Sequence, residues 1–451
     1  MSRSEMRAAF SLSGVYALRM LGLFMILPVF ALYAGELKGM TPALTGLAIG
    51  AYGITQALLQ IPAGLLSDRI GRKPVIIGGL LVFAFGSVVA AQAESIHLVI
   101  LGRALQGAGA IAAAIMALVA DLTREEHRIK AMALIGMSIG LSFALALVLG
   151  PVLDRWVGVP GIFWITAVLA LGGILVVAFV VPHPPQARIH REAEAIPAQF
   201  GRVLRNPELL RLDIGILLLH MVLTASFVVL PLVLRDQVAL EADHHWQVYL
   251  PVLVGSVLAM LPFIILAERK GRVKPVFIGA ITLLVVAEAG LFLVSLTLAH
   301  VIFLLFVFFA AFNLLEAMLP SLISRVAPVD CRGTAMGVYS SAQFLGAFLG
   351  GALGGLVQGR FGIQAVFLFA ALALLVWLAM AVSMRVPRKL GSYIHRIDVV
   401  EPAAAERLRQ ELAAQAGVVE VVVVPEEGVA YLKVDRQIFD AATLPGNAGQ
   451  P

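Results

Sequence analysis

Apolar segments of about 20 residues recur along most of this chain, and no other feature constrains its fold as strongly. A hydrocarbon core about 30 Å thick requires about 20 mainly apolar residues for each spanning helix. We therefore predict an all-α polytopic membrane protein, because a β-barrel would show alternating segments of about ten residues instead. The predicted spans are residues 10–34, 42–66, 74–93, 97–121, 130–153, 161–181, 209–234, 247–267, 275–298, 301–325, 333–358 and 362–385.

The composition agrees with a membrane protein and argues against several other classes. Hydrophobic residues make up 60% of the chain and charged residues 14%, whereas soluble domains have about 25% charged residues. The sequence shows no metal-ligand spacing, phosphate-binding loop or catalytic triad, so we predict no enzyme activity, no resident metal and no cofactor. The single cysteine, Cys331, cannot form an internal disulfide.

The connections between spans divide the chain into domains. Residues 182–208 contain five prolines and several arginines, which is typical of a linker. This linker separates a predicted N-terminal six-helix bundle, residues 1–181, from a C-terminal six-helix bundle, residues 209–390. A small domain is predicted at residues 393–443, and residues 444–451 are predicted to be disordered.

The placement of lysine and arginine predicts the orientation in the membrane. These residues occupy 22 positions on one side of the predicted spans, and the other side has only Lys38, Arg155, Arg235 and Arg360. Because the side rich in lysine and arginine faces the cytoplasm, both termini are predicted to be cytoplasmic. The net charge of +5 then reflects topology and contact with anionic lipid, so nucleic-acid binding is not predicted.

The residues after the last span predict a compact α/β domain. The β-α-β-β-α order is typical of a ferredoxin-like fold. No Cys-x-x-Cys pair is present, so soft-metal binding is not predicted, and a small ligand or self-association stays open as the role of this domain. The predicted elements are a strand at 395–400, a helix at 402–416, strands at 418–424 and 429–434, and a short second helix at 436–443.

The strongest local motif is GLLSDRIGRK at residues 64–73, between the second and third spans. It places one acid, two glycines and three bases at a membrane edge. Gly64 permits close helix approach, and Gly71 permits a tight turn. A shorter copy, ERKGR, occurs at residues 268–272, and recurrence at half-chain spacing predicts two related halves. Judged from charge alone, simple anchoring by basic residues is an equally open interpretation.

These motifs resemble the signature loop of the major facilitator superfamily, and residues 1–390 resemble its layout of six plus six helices. The sequence LGRALQGAG at residues 101–109 resembles the fourth-helix motif of that superfamily. Gly140, Gly150 and Pro151 in the fifth span look like the glycine–proline motif of its drug/proton antiporters. A carrier with a ferredoxin-like cytoplasmic tail is similar to a group of bacterial inner-membrane transporters in the superfamily.

The resemblance implies a charge cluster at the cytoplasmic end of the bundles. Asp68 of the loop would contact Arg332 at the start of the eleventh span, and Arg72 would be linked to Asp121 at the end of the fourth. In the superfamily this cluster stabilises the outward-facing state. By their position in the motif, Gly64, Arg69, Gly71 and Lys73 also match the signature loop of the superfamily.

Charged side chains inside the predicted spans are candidates for function, because each costs about 2.5–3.5 kcal/mol to place in hydrocarbon. Glu316 is predicted to take up a proton and His220 to switch near neutral pH. An interhelical hydrogen bond or ion pair is the open alternative for every candidate; it is favoured for Glu288, while Asp213 is predicted as a helix cap or interface residue. The candidates for a proton-coupling or substrate cavity are Glu316, His220, Arg19, Arg103, Asn313 and Tyr16.

Glycines at four-residue spacing predict close contacts between helices. They occur as Gly346, Gly350 and Gly354 in the eleventh span, and as Gly136 and Gly140 in the fifth.

We predict a secondary transporter that works by alternating access, with two halves rocking about a midplane site. The resemblance implies proton-coupled efflux of small amphipathic molecules, so the expected partners are protons, a small-molecule substrate and the lipid bilayer. Two alternatives stay open. The first is a proton-independent facilitator or importer of sugars or metabolites, and the second is a membrane sensor that uses the C-terminal domain.

Overall fold

Long α-helices account for most of the protein, as the apolar segments predict. The computed structural model describes residues 1–182, 196–384, 391–397, 402–425, 428–435, 438–440 and 444. The N-terminal bundle contains α1 (Arg3–Phe24), α2 (Phe30–Tyr33), α3 (Pro42–Ile70), α4 (Arg72–Ala91), α5 (Ile96–Ala108), α6 (Ala112–Leu122) and α7 (Glu125–Leu175). After the short α8 (Phe200–Leu204), the C-terminal bundle contains α9 (Pro207–Leu232), α10 (Trp246–Arg269), α11 (Val273–Leu293), α12 (Leu298–Val326), α13 (Arg332–Phe361) and α14 (Ile363–Val382).

Twelve membrane passes can be counted in the described part of the chain. Ten helical segments there are long and apolar enough to cross a membrane. One of them, Lys130–Val180, supplies two passes, because Gly158 has a φ of 66° and interrupts the helical backbone. The segment formed by α1 and α2 supplies the twelfth pass. The predicted twelve-pass helical architecture is therefore confirmed.

Two of the predicted spans are interrupted inside the membrane. The first ends its long helix at Phe24 and resumes at Phe30, because Pro28 lacks an N–H and its ring clashes with the carbonyl four residues earlier. The fourth is divided into α5 and α6 at Gly109, whose ψ is 47°. A broken helix leaves backbone carbonyls free to accept hydrogen bonds from side chains.

Close glycine contacts join the two bundles through α3 and α13. A Cβ atom on Gly46 would lie 2.8 Å from Cα of Gly355, and one on Gly50 would lie 2.7 Å from the carbonyl oxygen of Phe348. Only glycine allows backbones to approach this closely. We call the end that holds residues 64–73 the basic end and the other the opposite end; these glycine contacts lie towards the opposite end.

The two predicted glycine series behave differently. In α13, a Cβ atom on Gly354 would lie 3.0 Å from Cα of Ala225 in α9, so the predicted close packing is confirmed there. In α7, a Cβ atom on Gly136 or Gly140 would meet nothing within 4 Å. The packing prediction for these two residues is wrong, because they face away from neighbouring helices.

The tail forms an antiparallel sheet with a helix packed on it. Strand β3 (Val429–Val434) lies between β1 (Gly391–Arg396) and β2 (Val418–Val424) and is antiparallel to both, and α15 (Pro402–Ala413) connects β1 to β2. This split β-α-β unit is typical of a ferredoxin-like fold. The first strand begins at residue 391 rather than at the predicted 395.

Parts of the tail predictions lie outside the described residues. They are residues 398–400 of the predicted first strand, most of the predicted helix at 436–443, and the predicted disordered segment apart from residue 444.

The linker and the tail both contact the connection between α12 and α13. Gln199 donates from Nε2 to the Asp330 carbonyl oxygen at 2.9 Å, and Arg202 Nη1 lies 2.8 Å from Oδ2 of Asp330. Lys433 of β3 donates from Nζ to the Ala327 carbonyl oxygen at 3.0 Å, and burial lowers the pKa of Lys433. The tail is therefore fixed to the C-terminal bundle at the point where α13 begins.

Candidate functional site: polar clusters in the two bundles

A carboxyl group, an amide and an imidazole meet in the C-terminal bundle, and we call His220, Glu316 and Gln343 the carboxyl cluster. Gln343 donates from Nε2 to Oε1 of Glu316 at 3.1 Å, and the same nitrogen lies 2.9 Å from Nε2 of His220. Nδ1 of His220 lies 3.3 Å from the Ile216 carbonyl oxygen. These contacts fit a neutral ring that donates from Nδ1 and accepts at Nε2. One amide thus links α9, α12 and α13.

The side chain of the acid in this cluster is partly exposed, although its oxygen Oε2 is buried. The Glu316 side chain is 35% exposed and that of His220 is 14% exposed, with 3.9 Å between Oε2 and Nε2. Oε2 of Glu316 has no hydrogen-bond partner among the described residues. Because a buried carboxylate oxygen without a cation is costly, the group has a reason to bind a proton.

Asn313 does not join the carboxyl cluster, although it lies one turn away on α12. Its Nδ2 donates to Oγ of Ser256 at 3.1 Å, and Ser256 donates in turn to the Leu253 carbonyl oxygen at 2.9 Å. The amide therefore connects α12 to α10. This contact matches the structural alternative that the sequence left open for Asn313.

Two arginines contact the same tyrosine in the N-terminal bundle, and we call Arg19, Tyr52, Gln56 and Arg103 the arginine cluster. The guanidinium carbons of Arg19 and Arg103 lie 5.4 and 5.5 Å from the centroid of the Tyr52 ring, within the range of cation–π attraction. Arg19 Nη2 donates to Oε1 of Gln56 at 2.6 Å and to the Gly109 carbonyl oxygen at 3.1 Å. The break in the fourth span thus supplies one acceptor.

The arginine cluster is buried and contains no acid. Both arginines are 1% exposed, and Arg103 donates to Oε1 of Gln106 at 2.9 Å and to the Ile49 carbonyl oxygen at 3.4 Å. Within the described residues, Nε and Nη1 of Arg19 and Nε of Arg103 have no hydrogen-bond partner. Aromatic faces and neutral oxygens therefore compensate two positive charges only in part. Tyr16, one turn before Arg19, is also buried.

The structure separates the predicted cavity residues into these two clusters. No hydrogen bond or ion pair between described residues joins one cluster to the other. Sequence reasoning missed Tyr52, Gln56 and Gln343, which hold the clusters together. All three are polar residues inside apolar helices, so a signal was present, but it is weaker than that of a charged side chain.

Two more acids are buried in the C-terminal bundle. Glu288 of α11 is 0% exposed and accepts a hydrogen bond from Oγ of Ser226 at 2.8 Å, which is the interhelical bond that the sequence favoured. Asp213 of α9 is 5% exposed, and neither carboxylate oxygen has a hydrogen-bond partner among the described residues. The helix cap of α9 is Asn206, so Asp213 is not a cap.

Arg72 is the centre of the contacts made by the signature loop. Its Nε lies 3.2 Å from Oδ2 of Asp121, and its Nη1 donates to Oγ of Ser67 at 2.8 Å and also contacts Oδ1 of Asp68. The side chains of Arg72 and Asp121 are 2% and 0% exposed. The pair of Arg72 and Asp121 that the resemblance implies is present, and its part in the conformational change stays a prediction.

Asp68 contacts Arg72 in this structure, and no contact between described residues joins it to Arg332. The adjacent Arg69 is exposed. The pair of Asp68 and Arg332, which the resemblance implies for the outward-facing state, stays a prediction.

The other loop residues shape the local backbone. Gly71 has a φ of 97° between α3 and α4, as a tight turn requires. A Cβ atom on Gly64 would lie 3.0 Å from Cβ of Ala113, so the close approach is made within the N-terminal bundle. Lys73 donates from Nζ to the Val181 carbonyl oxygen at 2.6 Å, which ties α4 to the end of the sixth pass.

The glycine–proline motif of the fifth span lies against the break in the first. A Cβ atom on Gly150 would lie 2.8 Å from Cγ of Pro28, whereas Gly140 faces open space. Pro151 lies inside α7, whose helical assignment continues through it. The motif therefore packs α7 against the interrupted α1–α2 segment. Of its two glycines, only Gly150 makes a close contact.

The contacts between the bundles lie from the middle of the molecule to the opposite end. Arg155 Nη1 lies 3.4 Å from Oδ2 of Asp243 at the opposite end. Nearer the middle, the ring centroids of Tyr52 and Phe344 are 6.0 Å apart. On the basic side of this ring pair, Asp68 and Glu268 form ion pairs with Arg72 and Arg325 of their own bundles. The contacts that join the bundles thus hold the opposite end together.

Comparison with known families agrees with this architecture. The profile of the Major Facilitator Superfamily matches residues 12–350, with an overlapping match at residues 242–405. The profile of the YajR YAM domain matches residues 395–443. These matches cover the two bundles and the tail respectively.

Individual proteins show the same relationship. The chain is 48% identical over 439 residues to the inner membrane transport protein YajR of Escherichia coli (strain K12), covering 97% of this chain and 96% of that protein. It is 26% identical over 340 residues to the multidrug resistance protein MdtH of Aeromonas salmonicida (strain A449), covering 74% and 83%. A bacterial homologue of the human lysosomal transporter Spinster, inward-facing and occupied, matches in fold with a TM-score of 0.71 at 14% identity, over 85% of this chain and 97% of that one.

Proposed function

Since this chain belongs to the major facilitator superfamily of membrane transporters, we propose that it exports small amphipathic molecules across the bacterial inner membrane in exchange for protons. The bundles rock about a site between them and expose it alternately to either side. The likeness to a multidrug resistance protein supports this substrate class. The structure supports the coupling through the geometry of one acid.

The surroundings of Glu316 carry the proposal. Its side chain is 35% exposed, it accepts from an amide that also reaches His220, and no lysine or arginine among the described residues is paired with it. A proton bound there removes a charge from a site of low dielectric, and its loss restores that charge. The two protonation states therefore differ in how well they tolerate closure of the basic end, which is the requirement for coupling.

The arginine cluster has a complementary role in this proposal. Arginine keeps its charge at every physiological pH, so Arg19 and Arg103 hold a permanent positive potential in the N-terminal bundle. That potential favours substrates with an anionic or electron-rich group on an apolar body. Tyr52 and Gln56 position the two guanidinium groups.

The excess of basic residues at the basic end supports a cytoplasmic location for that end and for both termini. With that orientation, the contacts that hold the opposite end together correspond to an inward-facing structure. The signature loop then acts when the basic end closes: Asp68 meets Arg332 and stabilises the outward-facing state. The tail lies in the cytoplasm, where it is available to a small ligand or to a second copy of the chain.

The experiment is transport in proteoliposomes with an imposed pH gradient, using ethidium as a cationic probe and carboxyfluorescein as an anionic one. We expect the wild-type protein to move at least one probe against its gradient while an internal pH dye reports proton flux. Glu316→Gln should abolish the dependence on the pH gradient and retain downhill movement. Glu241→Gln, which changes an 82% exposed acid, is the matched control and should behave as wild type.

Two results would contradict the proposal. Flux of the wild-type protein that ignores the pH gradient would favour a facilitator. Flux of Glu316→Gln with the wild-type dependence on the gradient would remove this carboxyl group from the coupling.

A further inference from the structure

Glu288 is the most deeply buried acid that the proposed transport mechanism does not use. It projects from α11 towards α9, where Ser226 donates from Oγ to Oε1 at 2.8 Å. The other carboxylate oxygen, Oε2, has no hydrogen-bond partner among the described residues. A buried oxygen of this kind is costly unless it carries a proton or meets water.

A small cavity lies beside this carboxyl group. The volume open to the centre of a water molecule is about 10 Å³, which is close to the minimum that holds one water. Besides the carboxyl group and Ser226, its walls are apolar. The apolar lining residues are Phe227, Leu230, Leu291, Leu305, Phe308, Phe309 and Phe367.

One wall of the cavity is also part of the contact between the bundles. The ring centroid of Phe309 lies 6.2 Å from that of Phe143 in α7 and 6.3 Å from that of Phe227 in α9. Phe143 also stacks on Phe312, at 6.3 Å. These rings form an aromatic layer (Phe143, Phe227, Phe308, Phe309 and Phe312) that crosses from one bundle to the other.

The aromatic layer lies between two acids. Along α12, Glu316 is seven residues beyond Phe309 towards the basic end, about 10 Å by helical rise, and its side chain is partly exposed there. Glu288 lies behind Phe309 on the side of the opposite end and is fully buried. In this structure one acid is therefore partly exposed and the other is fully buried.

The cavity wall holds no other ionisable group in the part of the chain that the structure describes. The helices that form the cavity are α9, α11, α12 and α14, and α10 contributes a ring behind Phe227. Tyr249 packs its ring 6.2 Å from that of Phe227 without lining the cavity. The other ionisable residues of these helices are not among the lining residues either: Glu208, Arg211, Asp213 and His220 in α9, Lys274 in α11, His300, Glu316 and Arg325 in α12, and Glu268 and Arg269 in α10.

We propose that Glu288 and Ser226 form a second proton-binding site, reached from the opposite end when Phe309 separates from Phe143. This inference rests on proton-coupled transport and names the place where the proton is taken up from the outer side. With the opposite end closed, the buried carboxyl group is neutral and the layer is intact. When the bundles part at that end, water reaches the carboxyl group and allows it to exchange its proton.

The mechanism makes the two acids complementary. Ionised Glu288 is compatible only with a hydrated cavity, so loss of its proton opposes closure of the opposite end. In the same way, ionised Glu316 opposes closure of the basic end. Protonation at one end and release at the other would then follow the rocking of the bundles without a continuous water path across the membrane.

The test measures opening of the opposite end as a function of pH in nanodiscs of defined lipid, without substrate. Spin labels are attached at Lys38→Cys and Glu241→Cys, whose wild-type side chains are 77% and 82% exposed, in a Cys331→Ser background. We expect the population with the longer label distance to grow as the pH is raised. Glu288→Gln should lose this pH response, and Glu288→Asp should restore it.

Infrared spectroscopy gives a second measurement that needs no transport. A protonated carboxyl band that is absent in Glu288→Gln and present in Glu316→Gln is expected. Retention of the full pH response and of the same band in Glu288→Gln would overturn the second site while leaving the proposed function intact. Loss of coupling in Glu316→Gln proteoliposomes tests the proposed function separately, so the two failures are distinguishable.

Discussion

The two bundles bury charge in opposite ways. The N-terminal bundle holds two arginines that are 1% exposed, and their described partners are a ring, amide oxygens and backbone carbonyls. The C-terminal bundle holds Glu288 and Asp213, buried, and Glu316, partly buried, and no described ion pair joins any of the three to a lysine or arginine. Away from the paired Glu5 and Asp121 near the basic end, the buried charge among the described residues is therefore positive in one bundle and acidic in the other.

This difference distinguishes a charge that stays constant from a charge that can change. A guanidinium group stays charged at any physiological pH, whereas a carboxyl group without a cation gains and loses its proton easily when its surroundings change. In the proposed cycle, the N-terminal bundle thus provides a constant potential, and the C-terminal bundle provides the charge that varies. Proton coupling is expected to depend on one bundle and substrate attraction mainly on the other.

The largest expected effect comes from removing one of the two arginines that give the N-terminal bundle its permanent positive charge. Arg19→Met deletes one buried cation and should reduce flux at least tenfold, equivalent to about 1.4 kcal/mol in barrier height. The melting temperature should change little, because the hydrogen bonds lost to Gln56 and Gly109 are offset by relief of desolvation. Flux in proteoliposomes and thermal unfolding in detergent measure the two effects.

The control for this change is Arg235→Met, which removes an arginine whose side chain is 47% exposed and paired with Asp236. It should leave flux unchanged. A loss of more than about 10 °C in melting temperature for Arg19→Met, several kcal/mol for a domain of this size, would make Arg19 a structural residue and weaken the contrast between the bundles.

A smaller effect should follow when the N-terminal bundle is given an acid. Gln56→Glu places a carboxylate where Oε1 now lies 2.6 Å from Arg19 Nη2. The new ion pair should raise the melting temperature by about 2–4 °C, since about 1 kcal/mol produces a shift of that size. Flux should fall several-fold because the positive potential is partly cancelled.

The matched control is Gln60→Glu, one turn further along α3. Gln60 is buried and accepts from Gln56 at 3.0 Å, and no described contact joins it to Arg19. An acid there has no cation and should lower the melting temperature. Equal stabilisation by both substitutions would show that a direct pair with Arg19 is not the cause.

The smallest effect concerns an acid that is already paired. Glu5 lies before the first predicted span, and the Arg124 side chain, with backbone N–H groups of Ser2 and Arg124, holds the pKa of Glu5 well below its usual range. A lowered pKa adds stability above the ordinary carboxyl value, about 4.3, and this stability is lost as the pH falls through the folded-state pKa. Glu5→Gln should therefore melt a few degrees below wild type at pH 7, with a smaller gap at pH 4.

Thermal unfolding at the two pH values measures this effect. Glu94→Gln is the control, because the pair of Lys38 and Glu94 is 77% and 80% exposed and exposed pairs contribute little. A gap for Glu5→Gln that is the same at both pH values would show that the ionised carboxylate is not what stabilises the wild type.

Sequence patterns predict which residues are polar at a given depth, and they do so well here. The twelve passes, the turn at Gly71 and the interhelical bond of Glu288 follow from hydropathy, backbone freedom and the cost of burying charge. The direction in which a side chain points around its helix is harder to predict. Asn313 and Glu316 differ by one turn on α12, yet Asn313 bonds to α10 and Glu316 to α13.

Other features depend on contacts that a linear pattern does not contain. Gly140 and Gly150 belong to the same helix-five motif, yet only Gly150 meets another backbone, because the α1 segment bends at Pro28. In the proposed alternating access, the pair of Asp68 and Arg332 forms only when the basic end closes. A motif can therefore describe a contact that belongs to a different state from the one in a given structure.

The attachment of the tail has a practical consequence. Lys433 of the small sheet donates to the Ala327 carbonyl oxygen, and the linker residues Gln199 and Arg202 bind Asp330 close by. We therefore expect the small sheet to move together with the C-terminal bundle. Fluorophores placed on α15 and on the α3–α4 turn would convert the rocking of the carrier into a change in resonance energy transfer. Turnover could then be followed optically, and compounds could be screened as substrates by the movement they cause.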